Sequence, residues 1–345
     1  MTSHLLKTAA AGLAAMLLGG AAAPALAQGE LNLYSSRHYD TDERLYTDFE
    51  EATGIKVNRI EGAADQLIER IRTEGANSPA DVLLTVDAGR LWRADELGLF
   101  QPVDSDVLEA RIPEHLQQPE NRWFGFSQRA RIIFYDKSRV EPGQVSTYQS
   151  LADPELEGMV CTRSSGNIYM LSLMAAMIEH VGPTLAQDWA EGVWNNRARE
   201  PEGGDTDQLR GIASGQCAVA VANTYYFARA LRSEVSGLGP DEIAKIGWVF
   251  PNQNTTGAHV NISGAGVLAN APNKDNAVRF LEYLASEQAQ EYFSAGNDEY
   301  PAVPGVGLSD SVAKLGLFRQ DTVNLEALGR NQTQAQMIYD LVGYK

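Results

Sequence analysis

Apolar and polar positions alternate at strand and helix spacings over the first part of the chain. Short apolar runs and period-2 patterns predict strands over 31–36, 55–60 and 80–86. Amphipathic patterns predict helices over 43–53, 64–74 and 88–97, with Thr41 or Asp42 as the cap of the first. The repeated strand–helix order predicts an α/β fold with a parallel sheet and helices on both faces.

A second α/β region begins after about residue 127, within a long β segment over 123–136. Later strands are predicted around Cys161, around Cys217 and over 258–268, and later helices over 168–180, 186–196, 205–214, 227–232, 274–286, 287–294 and 332–341. We therefore predict two lobes, with the chain crossing between them more than once. The N-terminal lobe comprises 28–127 plus about 259–305, and the C-terminal lobe comprises 128–258 plus about 306–345.

Residues 1–27 have the features of a secretory signal peptide and are not expected to belong to the fold. Lys7 supplies the positive charge, 9–23 supply the apolar core, and Ala25-Leu26-Ala27 forms an A-x-A cleavage site. We predict export through a cleaved Sec signal peptide to the periplasm, with the mature chain beginning at Gln28. No other segment approaches the roughly 20 apolar residues that a membrane span needs.

The composition is acidic, with 45 Asp and Glu against 28 Lys and Arg and a formal net charge of −17. Nucleic acid is excluded as a partner because its recognition needs clustered basic side chains. Net charge mostly affects solubility, but an acidic protein accepts a cation more easily than an anion. The chain also contains no G-x-S-x-G, H-E-x-x-H or P-loop motif, so we predict a binding protein rather than an enzyme.

The chain contains two cysteines, Cys161 and Cys217, and each lies in a β-like run. In an exported protein an even pair favours a disulfide, which here would join two strands of one lobe. A metal site built on the two cysteines is the alternative, although no His-rich or C-x-x-C spacing accompanies them.

Tyrosines occupy three places where a predicted strand leads into a helix. Tyr225 and Tyr226 follow the apolar run 217–222, Tyr39 follows the first strand, and Tyr169 lies at the start of the helix predicted over 168–180. Since such turns lie at the carboxyl edge of their sheets, all four side chains can face one cleft between the lobes.

Tyrosine oxygens at such a cleft have metal-binding chemistry. A phenol has a pKa of about 10, but beside a small, highly charged cation it can lose its proton and become a hard anionic ligand. With His38 next to Tyr39 and no thiolate, the site suits a hard metal ion better than copper or zinc. The alternative for Tyr225 and Tyr226 is an aromatic pair, with one ring packed inward and the other at the surface.

Five short runs carry a resemblance to a known family: LYSSRHY at 33–39, IEG at 60–62, SPADV at 78–82, DAGRL at 87–91 and NTYY at 223–226. The chain resembles the periplasmic ferric-ion-binding proteins, which are the substrate-binding subunits of iron(III) ABC importers. The resemblance covers essentially the whole mature chain, and its most specific motifs are S-S-R-H-Y-D-T-D and N-T-Y-Y.

The resemblance implies a two-lobed, transferrin-like class II periplasmic binding protein fold, with the ligand cleft between the lobes and a hinge of crossing strands. It implies Fe³⁺ as the transported ligand, held by Tyr39, Tyr169, Tyr225 and Tyr226, with His38 added in some members. It also implies a monomer that delivers iron to the permease subunits of an ABC transporter at the inner membrane. Another branch of the family uses a His, a Glu, two tyrosines and an outside phosphate, so His38 and any synergistic anion stay open.

Two arginines are candidates to offset the charge of such a site. Four phenolates with Fe³⁺ leave one net negative charge, and a buried net charge is costly unless it is paired. Arg229 follows Tyr225 and Tyr226 by one helical turn, and Arg129 lies at the start of the second lobe. A surface or interdomain salt bridge is the alternative role for both. Glu61 and Asp87 also end strands, where helix capping explains each equally well.

The rival function is the same fold binding another small solute, such as a polyamine, thiamine or an oxyanion. Aromatic side chains in the cleft would then stack on an organic cation instead of ligating a metal.

Overall fold

The computed structural model describes residues 29–37 and 39–345. The predicted signal peptide and His38 lie outside the described residues. The strands are β1 Glu30–Ser35, β2 Lys56–Glu61, β3 Val82–Val86, β4 Phe124–Asp136, β5 Val160–Cys161, β6 Val219–Asn223, β7 Ile246–Val249, β8 Val260–Val267 and β9 Tyr300–Pro301. The helices are α1 Glu43–Thr53, α2 Ala64–Glu74, α3 Ala88–Glu96, α4 Asp106–Arg111, α5 Ile168–Asn195, α6 Asp205–Ala213, α7 Thr224–Arg232, α8 Pro240–Lys245, α9 Lys274–Leu284, α10 Glu287–Asn297, α11 Asp310–Leu315, α12 Glu326–Arg330 and α13 Gln332–Leu341.

The strands form a continuous path in the order β2-β1-β3-β8-β4-β6-β5, with β7 and β9 also paired to β4. Strand β1 runs parallel to β2 and β3, as predicted, but β8 runs antiparallel to both β3 and β4. The sheet is therefore mixed rather than parallel. The reason is that β8 returns directly from the other half of the molecule, without the helical crossover that parallel neighbours require.

Strand β4 is shared by the two halves of the molecule. Its first part, Phe124 to Ala130, pairs with β8, whereas its second part, from Arg131 onward, pairs with β6 and β7. The long β segment predicted over 123–136 is thus one strand, which crosses from one lobe to the other. The exact lobe boundaries stay a prediction.

Buried apolar side chains form one core in the first lobe and two in the second. The first-lobe core packs β1 and β3 against α1, α9 and α10. In the second lobe, Ile133 and Phe134 point to opposite faces of the sheet and belong to different cores, as the alternation of strand side chains requires. This gives the two-lobed architecture predicted from the sequence.

Helix α5 contains the two helices predicted over 168–180 and 186–196, which are joined across a kink at Gly182, where the backbone is not helical. Gly182 has a φ of 79° and precedes Pro183, which explains the sharp bend. By length and composition, the whole of α5 could cross a membrane. However, Met170, Met174 and Met177 are buried in a second-lobe core, as expected of a core helix.

The predicted disulfide is confirmed. Cys161 in β5 and Cys217, just before β6, are bonded, and their Cα atoms are 5.8 Å apart. Strands β5 and β6 are parallel neighbours, so the bond links the two strand segments within the second lobe. Strand β6 leads directly into α7.

Candidate metal centre

Four tyrosines lie at the starts of helical segments that follow strands. Tyr39 comes after β1 and directly before the 3₁₀ turn Asp40–Asp42. Tyr169 is in the first turn of α5, where its N–H donates to the Asn167 side chain at 3.2 Å. Tyr225 and Tyr226 are in the first turn of α7, which begins at Thr224 rather than at the predicted residue 227.

The structure brings these four residues together, and we refer to them as the tyrosine cluster. The hydroxyl oxygens of Tyr169 and Tyr225 are 3.3 Å apart, and the stacked rings of Tyr225 and Tyr226 have centroids 4.1 Å apart. Tyr39 lies close enough for its charge to act on both Tyr225 and Tyr226. The cluster thus joins one residue that follows a first-lobe strand with three from the second lobe.

Burial raises the pKa of Tyr39, Tyr225 and Tyr226. For Tyr225 the pKa is raised well above its ordinary value, by burial first and then by the neighbouring tyrosines. Burial likewise raises the pKa of Tyr226, with Tyr169 and Asp205 adding to the shift, and it raises the pKa of Tyr39, with Glu299 adding to the shift. In the absence of a cation these phenols are therefore neutral, and only a strong positive charge can remove their protons.

The positions of the tyrosines at helix ends favour negative charge at the cluster. Tyr169, Tyr225 and Tyr226 lie at helix N-termini, where the partial positive charge of the backbone stabilises an anion. In the described part of the chain, no group of three or more His, Cys, Asp or Glu residues could hold a metal ion. The cluster is consequently the candidate metal centre that these residues provide.

Arg229 lies between two members of the cluster. Its guanidinium carbon is 5.7 Å from the ring centroid of Tyr225 and 5.9 Å from that of Tyr39. Its Nε is also 3.8 Å from a carboxylate oxygen of Asp298. The two roles considered for this arginine, a site residue and a salt-bridge partner, are therefore compatible in one conformation.

Arg129 is buried behind the cluster. It donates to Glu299 and to the Ser263 hydroxyl, both at 2.9 Å. Although burial disfavours its charge, Glu299 and the surrounding tyrosines raise its pKa above the ordinary value. Its Nε has no hydrogen-bond partner among the described residues, so a buried cation with an unused donor lies beside the phenols.

Sequence reasoning missed Arg37, although it lies within the S-S-R-H-Y-D-T-D motif. It is buried, its guanidinium is 5.1 Å from the Tyr39 ring centroid, and it donates to Asp42 at 2.8 and 3.0 Å. Asp42 occupies the N-cap position of α1, as predicted, but its side chain makes no cap hydrogen bond. The carboxylate instead pairs with Arg37, since a buried guanidinium requires an anionic partner.

A second missed pair supports the other half of the cluster. Arg131 is buried, pairs with Asp205 at 3.0 Å and lies 5.8 Å from the Tyr169 ring centroid. Asp205 also accepts the backbone N–H of Asn223 at 2.8 Å. This hydrogen bond fixes the end of β6, two residues before Tyr225. A buried arginine beside strand residues has no distinctive sequence signal, so only the fold reveals this pair.

The remaining acidic candidates have different roles. Asp87 accepts the N–H of Gly89 at 2.9 Å, which caps α3, and it also accepts the Ser172 hydroxyl at 2.8 Å. It thereby links the first lobe to α5, one turn after Tyr169. Glu61 is 40% exposed and pairs with Arg59 at 3.5 Å. His38 lies outside the described residues.

Comparison with known proteins places the chain among solute-binding proteins. The family model described as bacterial extracellular solute-binding protein matches residues 44–320. Iron uptake protein A1 of Synechocystis sp. is 51% identical over 321 residues, which is 92% of this chain and 88% of that protein.

Two solved structures have the same fold. A Trichodesmium protein in complex with iron and citrate ligands matches with a TM-score of 0.89 and 51% identity, over 92% of this chain and all of that chain. The ferric binding protein from Campylobacter jejuni matches with a TM-score of 0.85 and 39% identity, over 91% of this chain and all of that chain. These likenesses confirm the two-lobed fold, the resemblance to ferric-ion-binding proteins and the prediction of a binding protein rather than an enzyme.

Proposed function

Since this chain belongs to the bacterial extracellular solute-binding protein family, we propose that it binds ferric iron through the phenolates of the tyrosine cluster and delivers it to an ABC-type importer. The observation that carries the proposal is the convergence of the phenols, with the Tyr169 and Tyr225 oxygens 3.3 Å apart. This spacing allows both oxygens to approach one cation. Tyr39 and Tyr226 also lie close enough to Tyr225 for their charges to act on it.

The chemistry of the cluster suits Fe³⁺ in particular. A trivalent cation offsets the cost of deprotonating several buried phenols, and phenolate is a hard oxygen donor. Four phenolates with Fe³⁺ leave one net negative charge. We assign its compensation to Arg129, which is buried, and Arg229, which contacts two of the rings.

The rival ligands fit the same site less well. An organic cation such as a polyamine or thiamine would bind against aromatic faces. Here the faces of Tyr225 and Tyr226 stack on each other, and two guanidinium groups, from Arg37 and Arg229, lie against the ring of Tyr39. The polar groups of the cluster are its hydroxyls, which are oxygen donors suited to a hard metal ion.

The cellular role follows from the family and the N-terminal sequence. The predicted signal peptide and the extracellular family description support a periplasmic location. We propose that the protein is a monomer that presents its iron-loaded form to permease subunits at the inner membrane. The iron uptake role named for the Synechocystis relative supports this proposal.

The test is iron loading of the purified mature protein. Phenolate-to-iron charge transfer should give a red-orange colour, and elemental analysis should find about one iron per chain. Tyr169→Phe and Tyr225→Phe should weaken the visible band. The matched control is Tyr283→Phe, because Tyr283 is a first-lobe tyrosine whose buried hydroxyl has no hydrogen-bond partner among the described residues.

Three results would contradict the proposal. The first is a protein that stays colourless with ferric iron, and the second is a band that survives both substitutions. The third is calorimetry that detects tight binding of spermidine or thiamine but none of ferric citrate, which would favour the rival function.

A further inference from the structure

Three consecutive polar residues at the end of α10 are almost completely buried. Asn297, Asp298 and Glu299 are 3%, 0% and 1% exposed. They lie where α10, which packs in the first-lobe core, leads into β9, which pairs with β4. Burying three adjacent polar side chains is costly unless each has partners, so their partners indicate what the segment does.

Asn297 holds the turn that follows Tyr39. Its side-chain amide donates to Asp42 at 2.7 Å, and its carbonyl oxygen accepts the Thr41 hydroxyl. Thr41 and Asp42 are the second and third residues after Tyr39. The contact therefore fixes the backbone from which this member of the tyrosine cluster projects.

Asp298 holds the helix that carries Tyr225 and Tyr226. It accepts two hydrogen bonds from Arg232 at 2.9 and 2.8 Å, and it lies 3.8 Å from Arg229. It also accepts the Ser311 hydroxyl at 2.6 Å. Its backbone is in the left-handed region, with φ of 60°, a conformation that aspartate and asparagine adopt more readily than most residues.

Glu299 holds the two buried arginines beside the cluster. One carboxylate oxygen accepts from Arg37 at 3.1 Å and from Ser127 at 2.6 Å, and the other accepts from Arg129 at 2.9 Å. Arg37 packs on the Tyr39 ring, and Arg129 acts electrostatically on Tyr39, Tyr169 and Tyr225.

We propose that residues 297–299 are a positioning segment that sets the placement of Tyr39 relative to Tyr225 and Tyr226, and thereby sets the affinity for iron. The inference rests on the proposed function. The three residues are joined by peptide bonds, so consecutive Cα atoms are only about 3.8 Å apart. A shift of Asp298 toward α7 must therefore also move the partners of Asn297 and Glu299. None of the three residues is proposed to touch the metal.

The test compares substitutions that remove charge but keep shape. Asp298→Asn keeps a residue that tolerates the left-handed backbone, and Glu299→Gln keeps the side-chain length. The matched control is Asp81→Asn, because Asp81 is 0% exposed and accepts backbone N–H groups of Asn32 and Asn273 at 2.7 and 2.6 Å. Asp81 precedes β3, at the sheet edge opposite to Tyr39.

Iron affinity is measured in competition with citrate, together with the visible charge-transfer band at saturating iron and the thermal unfolding temperature. We expect Asp298→Asn and Glu299→Gln each to lower the affinity about tenfold, as loss of an outer partner of a metal ligand does, and to shift the band. Asp81→Asn should lower the unfolding temperature while leaving affinity and band unchanged.

Affinity and band within about twofold of wild type in both variants would overturn the proposal. An equal loss of affinity in Asp81→Asn would also overturn it, since the effect would then be one of general stability. If either variant fails to fold, Arg232→Lys decides, because Arg232 is 41% exposed and lysine cannot make the bidentate contact. Unchanged affinity and band in that variant would reject the role of Asp298.

The outcomes also separate this inference from the proposed function. A wild-type protein without a band would overturn both. If the tyrosine variants lose the band while Asp298→Asn and Glu299→Gln retain band and affinity, only the positioning role fails.

Discussion

Iron binding should release protons, and each tyrosine that ligates the metal should account for one of them. In the iron-free protein, burial and neighbouring charges raise the pKa of Tyr39, Tyr225 and Tyr226. These phenols are therefore protonated at pH 7 and must lose their protons to the solvent when Fe³⁺ binds. If all four members of the tyrosine cluster ligate, about four protons leave per iron.

The sign and size of the pH dependence follow from this count. Each displaced proton changes the free energy of binding by about 1.4 kcal/mol per pH unit. For four protons, affinity for free Fe³⁺ weakens by roughly 5 kcal/mol for each unit that the pH falls. Removing one phenol reduces this slope to about 4 kcal/mol per pH unit. The charge-transfer band should fade over the same range, because protons and metal compete for the same oxygens.

The assay adds ferric nitrilotriacetate to unbuffered protein at pH 7 and measures the base needed to hold the pH. Protons taken up by the released chelator are the same for every variant, so differences between variants count phenols. Tyr225→Phe and Tyr226→Phe should each release about one proton fewer than wild type, whereas Tyr283→Phe should match wild type. A variant that binds iron with both its proton count and its visible band unchanged would show that its tyrosine is not a ligand.

Three further predictions concern other parts of the molecule. His38→Ala should keep most iron binding at neutral pH, because a neutral imidazole adds no charge, whereas Tyr39→Phe should weaken iron binding severely. The reverse order of affinities in a competition titration would contradict the assignment of Tyr39 as a ligand. The lobes should close on iron about the crossing strands near Gln128 and 259–264, and identical small-angle scattering profiles with and without bound iron would count against closure. Burial lowers the pKa of His259 to about 4, so stability of the iron-free protein should fall as the pH drops from about 6.5 to 4, by roughly 3 kcal/mol. Urea unfolding at both pH values should show a smaller loss in His259→Gln, and an equal loss would argue against this cause.

Local patterns predicted a large part of the fold. The helices α1, α2 and α13 have the predicted bounds, because an amphipathic repeat and a following glycine or break are properties of adjacent residues. The disulfide was predictable from the number of cysteines and the export signal. The candidate ligands were predictable because each tyrosine follows a strand and opens a helical segment, and such turns lie at the carboxyl edge of a sheet, where ligands bind.

Tertiary structure alone decided the surroundings of those tyrosines. Arg37 and Glu299 form a buried ion pair across 262 positions of sequence, and no periodicity connects residues so far apart. The antiparallel direction of β8 was also undetermined, because an apolar run has the same pattern in either direction. Whether a charged residue is buried with a partner or exposed to water depends on which segments meet in space. Local hydrophobic pattern therefore predicted many of the elements, and the tyrosine motifs predicted the candidate ligands. The long-range ion pairs that surround the tyrosine cluster existed only once the chain had folded.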